Sequence, residues 1–145
     1  MLQVVVLLLK QHFAMGIFDK FKKTQRDIAK EELVEVPWHV LSELKQLDEI
    51  SEQSKTTPVA IFKHSTTCGI SKMVFRNFER SYELTDDQMK LYYLDLKAHR
   101  NVSDEVGYKF QVIHESPQLI VIKNGVAVYH ASHHTIQAEE LKKFV

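Results

Sequence analysis

Cysteine is almost missing from this chain: Cys68 is the only one in 145 residues. That excludes an internal disulfide, and it fits a reducing compartment, read as the cytoplasm, better than an extracellular one. Any dithiol chemistry must find its second thiol elsewhere. Net charge is missing too. Nineteen basic and nineteen acidic side chains cancel, so no global field gathers polyanions, and neither nucleic acid nor an anionic membrane is the expected partner. Long apolar runs are also lacking. Residues 1–9 form an apolar stretch far shorter than the roughly 20 residues needed to cross a bilayer. They also lack the positive flank and small-residue cleavage site of a secretory signal. No internal repeat or low-complexity tract is present.

What is there has the balance of a folded protein, 44% apolar and 26% charged, at a length that makes one compact domain. Met15-Gly16-Ile17-Phe18-Asp19-Lys20 looks like a fresh protein start, and Lys20 stands where a myristoylation signal wants Ser or Thr. Residues 18–32 read as a short, basic, weakly amphipathic helix. Residues 1–36 are therefore set apart as an N-terminal extension, and 37–145 as the domain proper.

Within the domain, Val40, Leu41, Leu44, Leu47 and Ile50 recur at helical spacing to about Ser54. Pro58-Val59-Ala60-Ile61-Phe62 is apolar without alternation, as in a strand buried on both faces. A polar turn follows, and then Ile70, Met73, Val74, Phe78 and Tyr82 repeat every three or four residues, predicting a helix. Residues 91–96 read as a further strand, and Val102, Val106 and Phe110 as a helix in spite of Gly107. Beyond Pro117, residues 119–122 and 126–130 read as strands joined by Asn124-Gly125, the dipeptide that most favours a tight hairpin. Ile136, Leu141 and Phe144 predict a last helix capped by Thr135. This β-α-β-α-β-β-α order predicts an α/β, thioredoxin-like fold, a mixed four-stranded sheet sandwiched by helices.

Cys68 falls where a buried strand has ended and a helix begins. The first amides of a helix have no internal acceptor, and together with the peptide dipoles they favour negative charge. A thiolate there is favoured over a thiol, which makes the sulfur nucleophilic. Three residues on, Ser71 stands where a dithiol oxidoreductase carries its second cysteine. Its hydroxyl can donate a hydrogen bond to the sulfur but cannot resolve a mixed disulfide. The route must be monothiol: the sulfur takes one half of a mixed disulfide and is freed by an outside thiol. Ser116-Pro117 immediately precedes a strand. In thioredoxin folds this proline is cis and lies beside the reactive cysteine, where the preceding residue's backbone can pair with the partner.

The segment Phe62-Lys63-His64-Ser65-Thr66-Thr67-Cys68-Gly69-Ile70-Ser71, with His114-Glu115-Ser116-Pro117-Gln118 and Lys123-Asn124-Gly125, resembles the monothiol bacilliredoxins of the bacillithiol system. The resemblance runs from about Trp38 to Val145. It implies removal of bacillithiol from proteins that carry it as a mixed disulfide, with Cys68 as nucleophile, Ser71 beside it, and Thr67, Gly69, Ser116 and the cis-proline Pro117 as substrate contacts. Bacillithiol would be a co-substrate, with no tightly bound cofactor or metal and a monomer or weak dimer as the working unit. Gly69 departs from the proline expected after the cysteine. Cys-Gly-Ile-Ser is close to the Cys-Gly-Phe-Ser of monothiol glutaredoxins, so iron–sulfur cluster carriage, and a non-enzymatic interaction module, stand as alternatives.

His130, His133 and His134 form a cluster read as surface residues in preference to a zinc site. His64 and His114 flank the predicted site, where a protonated imidazole would further stabilise a thiolate, although a satisfied or solvent-facing histidine is the commoner arrangement. Phe75, Phe78, Tyr92, Tyr93 and Phe110 are assigned to the core, and Glu79, Arg80, Glu83, Asp86 and Asp87 to a solvated face of mixed charge.

Overall fold

The computed structural model describes residues 35–145; the apolar stretch, the candidate start at Met15 and the basic helix expected over 18–32 lie outside them. The folded unit runs from Val36 to Val145. Its elements are β1 (Trp38–Val40), α1 (Lys45–Gln53), β2 (Val59–His64), α2 (Gly69–Ser81), β3 (Lys90–Asp95), α3 (Arg100–Phe110), β4 (Gln118–Lys123) and β5 (Val126–Ser132), followed by two 3-10 turns, His133–Thr135 and Ala138–Phe144. One five-stranded sheet has the order β1-β3-β2-β4-β5. β1, β3 and β2 run parallel, whereas β4 and β5 are antiparallel to their neighbours.

The central strand carries the expected signature. Val59, Ala60, Ile61 and Phe62 are wholly buried, because helices cover both faces and alternate side chains enter two separate cores. Ala60 and Phe62 join Val74 and Phe78 of α2 and Leu141 of the C-terminal segment. Val59 and Ile61 join Leu47 and Ile50 of α1 and Val102, Val106 and Phe110 of α3. Each fully buried large aliphatic or phenyl side chain contributes about 1.5–3 kcal/mol. The hairpin turns where expected, with Asn124 and Gly125 at φ 51° and 76°, the left-handed pair of a type I′ turn.

Four expectations are corrected. The sheet has five strands, not four. The extra one is β1, where Trp38, His39 and Val40 pair with Leu91, Tyr92 and Tyr93. The helical spacing that starts at Val40 assigns that residue to the first helix, but Val40 and Leu44 are exposed. The helix starts later because the Gln46 side chain accepts from the amides of Ser42 and Glu43 and donates to the Val40 carbonyl, holding a turn ahead of it. Along α2, Ile70 and Met73 are exposed instead of packed. The buried stripe is Ser71, Val74 and Phe78, about 100° further round the helix. Tyr82 is buried, but just past the helix end. Finally, the closing segment is 3-10 in place of an α-helix. Ala138, Leu141 and Phe144 recur every third residue, the period of that tighter coil. Thr135 does not cap it; its hydroxyl donates to the Ser132 carbonyl and accepts from the Ser132 amide.

Candidate functional site

Strand β2 ends at His64, and residues 65–68 turn the chain into α2. The Cys68 amide donates to the Ser65 carbonyl (3.3 Å), and the Lys72 amide donates to the Cys68 carbonyl (3.0 Å), closing the first helical bond. Cys68 is thus the N-cap, in extended conformation at φ −97° and ψ 121°. Its thiol is free and exposed. The next three amides, of Gly69, Ile70 and Ser71, have no acceptor among the described residues, which leaves them as donors for an anion at the helix start. Gly69 and Thr67 are exposed beside the sulfur. A Cβ built on Gly69 would meet nothing within 4 Å, so no packing demands glycine there.

Ser71 is fully buried, and its hydroxyl serves a different group from the one expected. It accepts from the Ser65 amide (3.1 Å) and lies 2.7 Å from His64 Nδ1. The Ser71 hydroxyl and His64 Nδ1 share one hydrogen bond. The hydroxyl's partners are His64 and Ser65, and it makes no hydrogen bond to the sulfur. His64 stacks on Phe75 with ring centroids 4.8 Å apart, and burial holds its pKa below the ordinary histidine value. It is therefore neutral at pH 7 and adds no positive charge beside the thiol, unlike the protonated form considered from sequence.

β4 begins next to the end of β2, with Lys63 paired to Gln118. The segment entering β4 therefore reaches the same end of the sheet as the cysteine turn. The Ser116–Pro117 peptide is cis, as the thioredoxin arrangement implied. Pro117 is buried and Ser116 half-buried. Gln118, wholly buried, holds the approach: its Nε2 donates to the Ile113 carbonyl and its Oε1 accepts from the Glu115 amide.

Two residues here escaped sequence reasoning. One is Gln118. The other is Lys63, which has no exposed surface although it carries an ammonium group. Its Nζ donates to His114 Nδ1 across 2.6 Å. Desolvation lowers the Lys63 pKa to about 8 and lowers that of His114 as well, through burial and then the neighbouring Lys63 charge. The available signal was a lysine continuing an apolar central-strand run, since lysine is almost never fully buried. His130, His133 and His134 are exposed as expected. Among the described residues, no three His, Cys, Asp or Glu side chains stand close enough to hold a metal, and no helix is long and apolar enough to cross a membrane.

The fold has close counterparts among solved structures. A candidate oxidoreductase with a thioredoxin fold is 32% identical, with a TM-score of 0.63 over 74% of this chain and 92% of that one. A thioredoxin of Malassezia sympodialis is 22% identical, with a TM-score of 0.57 over 75% of this chain and 87% of that one. The thioredoxin of Fasciola hepatica is 16% identical, with a TM-score of 0.54 over 73% and 94%. The last two bear on fold alone. The family model described as Monothiol bacilliredoxin BrxC matches residues 39–141, a span that holds the cysteine turn, the cis-proline and every strand but the first residue of β1. This chain belongs to the monothiol bacilliredoxin family and has the thioredoxin fold.

Proposed function

We propose that the protein removes a low-molecular-weight thiol, bacillithiol by family, from protein mixed disulfides through Cys68. The observation that carries this reading is a lone, exposed cysteine capping α2, with three unpaired amides behind it. In the first step the Cys68 thiolate attacks the bacillithiol sulfur of the mixed disulfide. The Cys68–bacillithiol disulfide forms, and the substrate protein's cysteine leaves as its thiolate. In the second step a free bacillithiol thiolate attacks the bacillithiol sulfur of that adduct, releasing the bacillithiol disulfide and the Cys68 thiolate. Electrons balance, with one disulfide consumed and one formed in each step. Ser71 makes the second step intermolecular, because a buried hydroxyl cannot displace a disulfide. The amides of Gly69, Ile70 and Ser71 favour the thiolate as nucleophile and as leaving group. Ser116, next to the cis-proline, offers backbone groups to the incoming chain, and Thr67 and Gly69 complete the exposed rim.

On this reading the partners are bacillithiol-modified proteins and free bacillithiol, no cofactor is held tightly, and the work is done in the cytoplasm by a monomer or weak dimer. The test is turnover of a bacillithiolated protein with bacillithiol and its reductant present. The native chain releases the thiol, and Cys68→Ala does not. Equal release by the variant overturns the proposal.

A further inference from the structure

The outer face of α2 has a feature that the exchange reaction alone does not use. Cys68, Lys72, Arg76 and Arg80 are spaced four apart, so they follow one ridge of the helix with the sulfur at its head. Lys72 to Arg80 extends for about 12 Å along the axis. All three basic residues are exposed, and among the described residues none has a carboxylate within ion-pairing distance. The acids nearest Arg80 in sequence are engaged elsewhere. Glu79 accepts from the Trp38 indole, Glu83 pairs with Lys142, and Asp86 pairs with His39 and Lys90. Arg80 also belongs to the mixed-charge face over residues 79–87, and with Lys72 and Arg76 it forms a cationic row along the helix. A groove of about 340 Å³ runs along it, lined by Gly69, Lys72, Met73, Arg76, Asn77 and Arg80.

We propose that the Lys72-Arg76-Arg80 row docks an acidic stretch of the protein whose mixed disulfide Cys68 attacks. The inference rests on the function proposed above and adds a substrate class to it. A small thiol bonded to Cys68 does not span the row, whereas an extended peptide, at about 3.3 Å per residue, covers it with four residues. Charge complementarity selects carboxylates. Because the molecule carries no net charge, the attraction is local to this face and is screened within about 10 Å at 0.1 M salt.

Two synthetic peptides test it, each carrying one cysteine as a mixed disulfide with bacillithiol. One has four glutamates beside the cysteine, the other glutamines at the same positions. With the full chain at low salt, kcat/KM for thiol release is about tenfold higher for the glutamate peptide, the scale expected of a few exposed ion pairs. The preference falls below about twofold at 1 M salt, and below about threefold in Arg76→Gln/Arg80→Gln. Equal rates for the two peptides at low salt overturn the proposal, as happens if a second copy of the chain already occupies the row. A preference that survives the double substitution also overturns it. Equal inhibition by a single-stranded oligonucleotide and by a cysteine-free acidic peptide marks a general polyanion surface and overturns it too. Failure to release thiol from either peptide is a different result, which counts against the exchange reaction itself.

Discussion

Two buried polar side chains near Cys68 do different things from what their types suggest. Ser71 replaces a resolving cysteine, and its hydroxyl is a structural link between α2 and the end of β2, holding His64 Nδ1 and the Ser65 amide. Ser71→Ala leaves both groups buried and unpaired, which costs about 1–3 kcal/mol of stability. Because the hydroxyl does not reach the sulfur, the alkylation rate of Cys68 in the folded variant stays within about twofold of native. Denaturant titration and iodoacetamide kinetics check the two halves. Lys63 is the more unusual residue. Its pKa is lowered from 10.5 to about 8 by burial, so between those values the unfolded chain holds more protons than the folded one. Stability therefore rises with pH across that window, and at neutral pH the full penalty of burying the ammonium is present. Lys63→Met removes the penalty and raises stability at pH 7 by roughly 1–3 kcal/mol. It also flattens the rise between pH 8 and 10.5. Unfolding measured at pH 7 and pH 10 decides the matter, and a loss of stability at pH 7 contradicts it.

The helix that carries the cysteine begins at Gly69, the first helical position, where the amide has no partner and a Cβ meets nothing. Proline is suited to such a position. Gly69→Pro accordingly folds and gains about 0.4–1 kcal/mol from a stiffer unfolded chain. It also removes one of the three unpaired amides behind the sulfur, so the variant separates backbone rigidity from anion stabilisation. Slower alkylation at pH 7 together with a higher melting temperature is the expected pair of results. Elements with strong patterns were legible in the sequence. The Val59–Phe62 run read as a central strand because both of its faces are covered, and Asn124-Gly125 read as a hairpin because few other pairs accept two positive φ angles. β1 was not legible, since three residues at a sheet edge carry no period, and a tertiary pairing with β3 decides their state. The closing 3-10 segment reads as α-helical from Ile136, Leu141 and Phe144, although Ala138, Leu141 and Phe144 keep a strict three-residue step.

Over the whole molecule, the site is assembled from two segments far apart in sequence, residues 65–71 and 113–118. They come to the same end of the sheet because β2 and β4 are antiparallel neighbours with Lys63 paired to Gln118. Both ends of that site were readable, as a cysteine between strand and helix and as a proline before a strand. Of the polar groups beneath it, His64 was readable as a neighbour of the cysteine, but its bond to Ser71 was not, nor were Lys63 and Gln118. Their roles depend on which face of the sheet each side chain enters and on which neighbour takes its proton, and spacing does not convey either. On the proposed reading, a single thiol performs half of a disulfide exchange and leaves the rest to a small-thiol partner. The most direct test of this account is intact-mass analysis after a single turnover with a bacillithiolated protein and no free bacillithiol. The account predicts one bacillithiol on Cys68 and one equivalent of reduced substrate. A disulfide-linked complex of the two proteins as the stable end product, or reduced substrate with Cys68 unmodified, would contradict it.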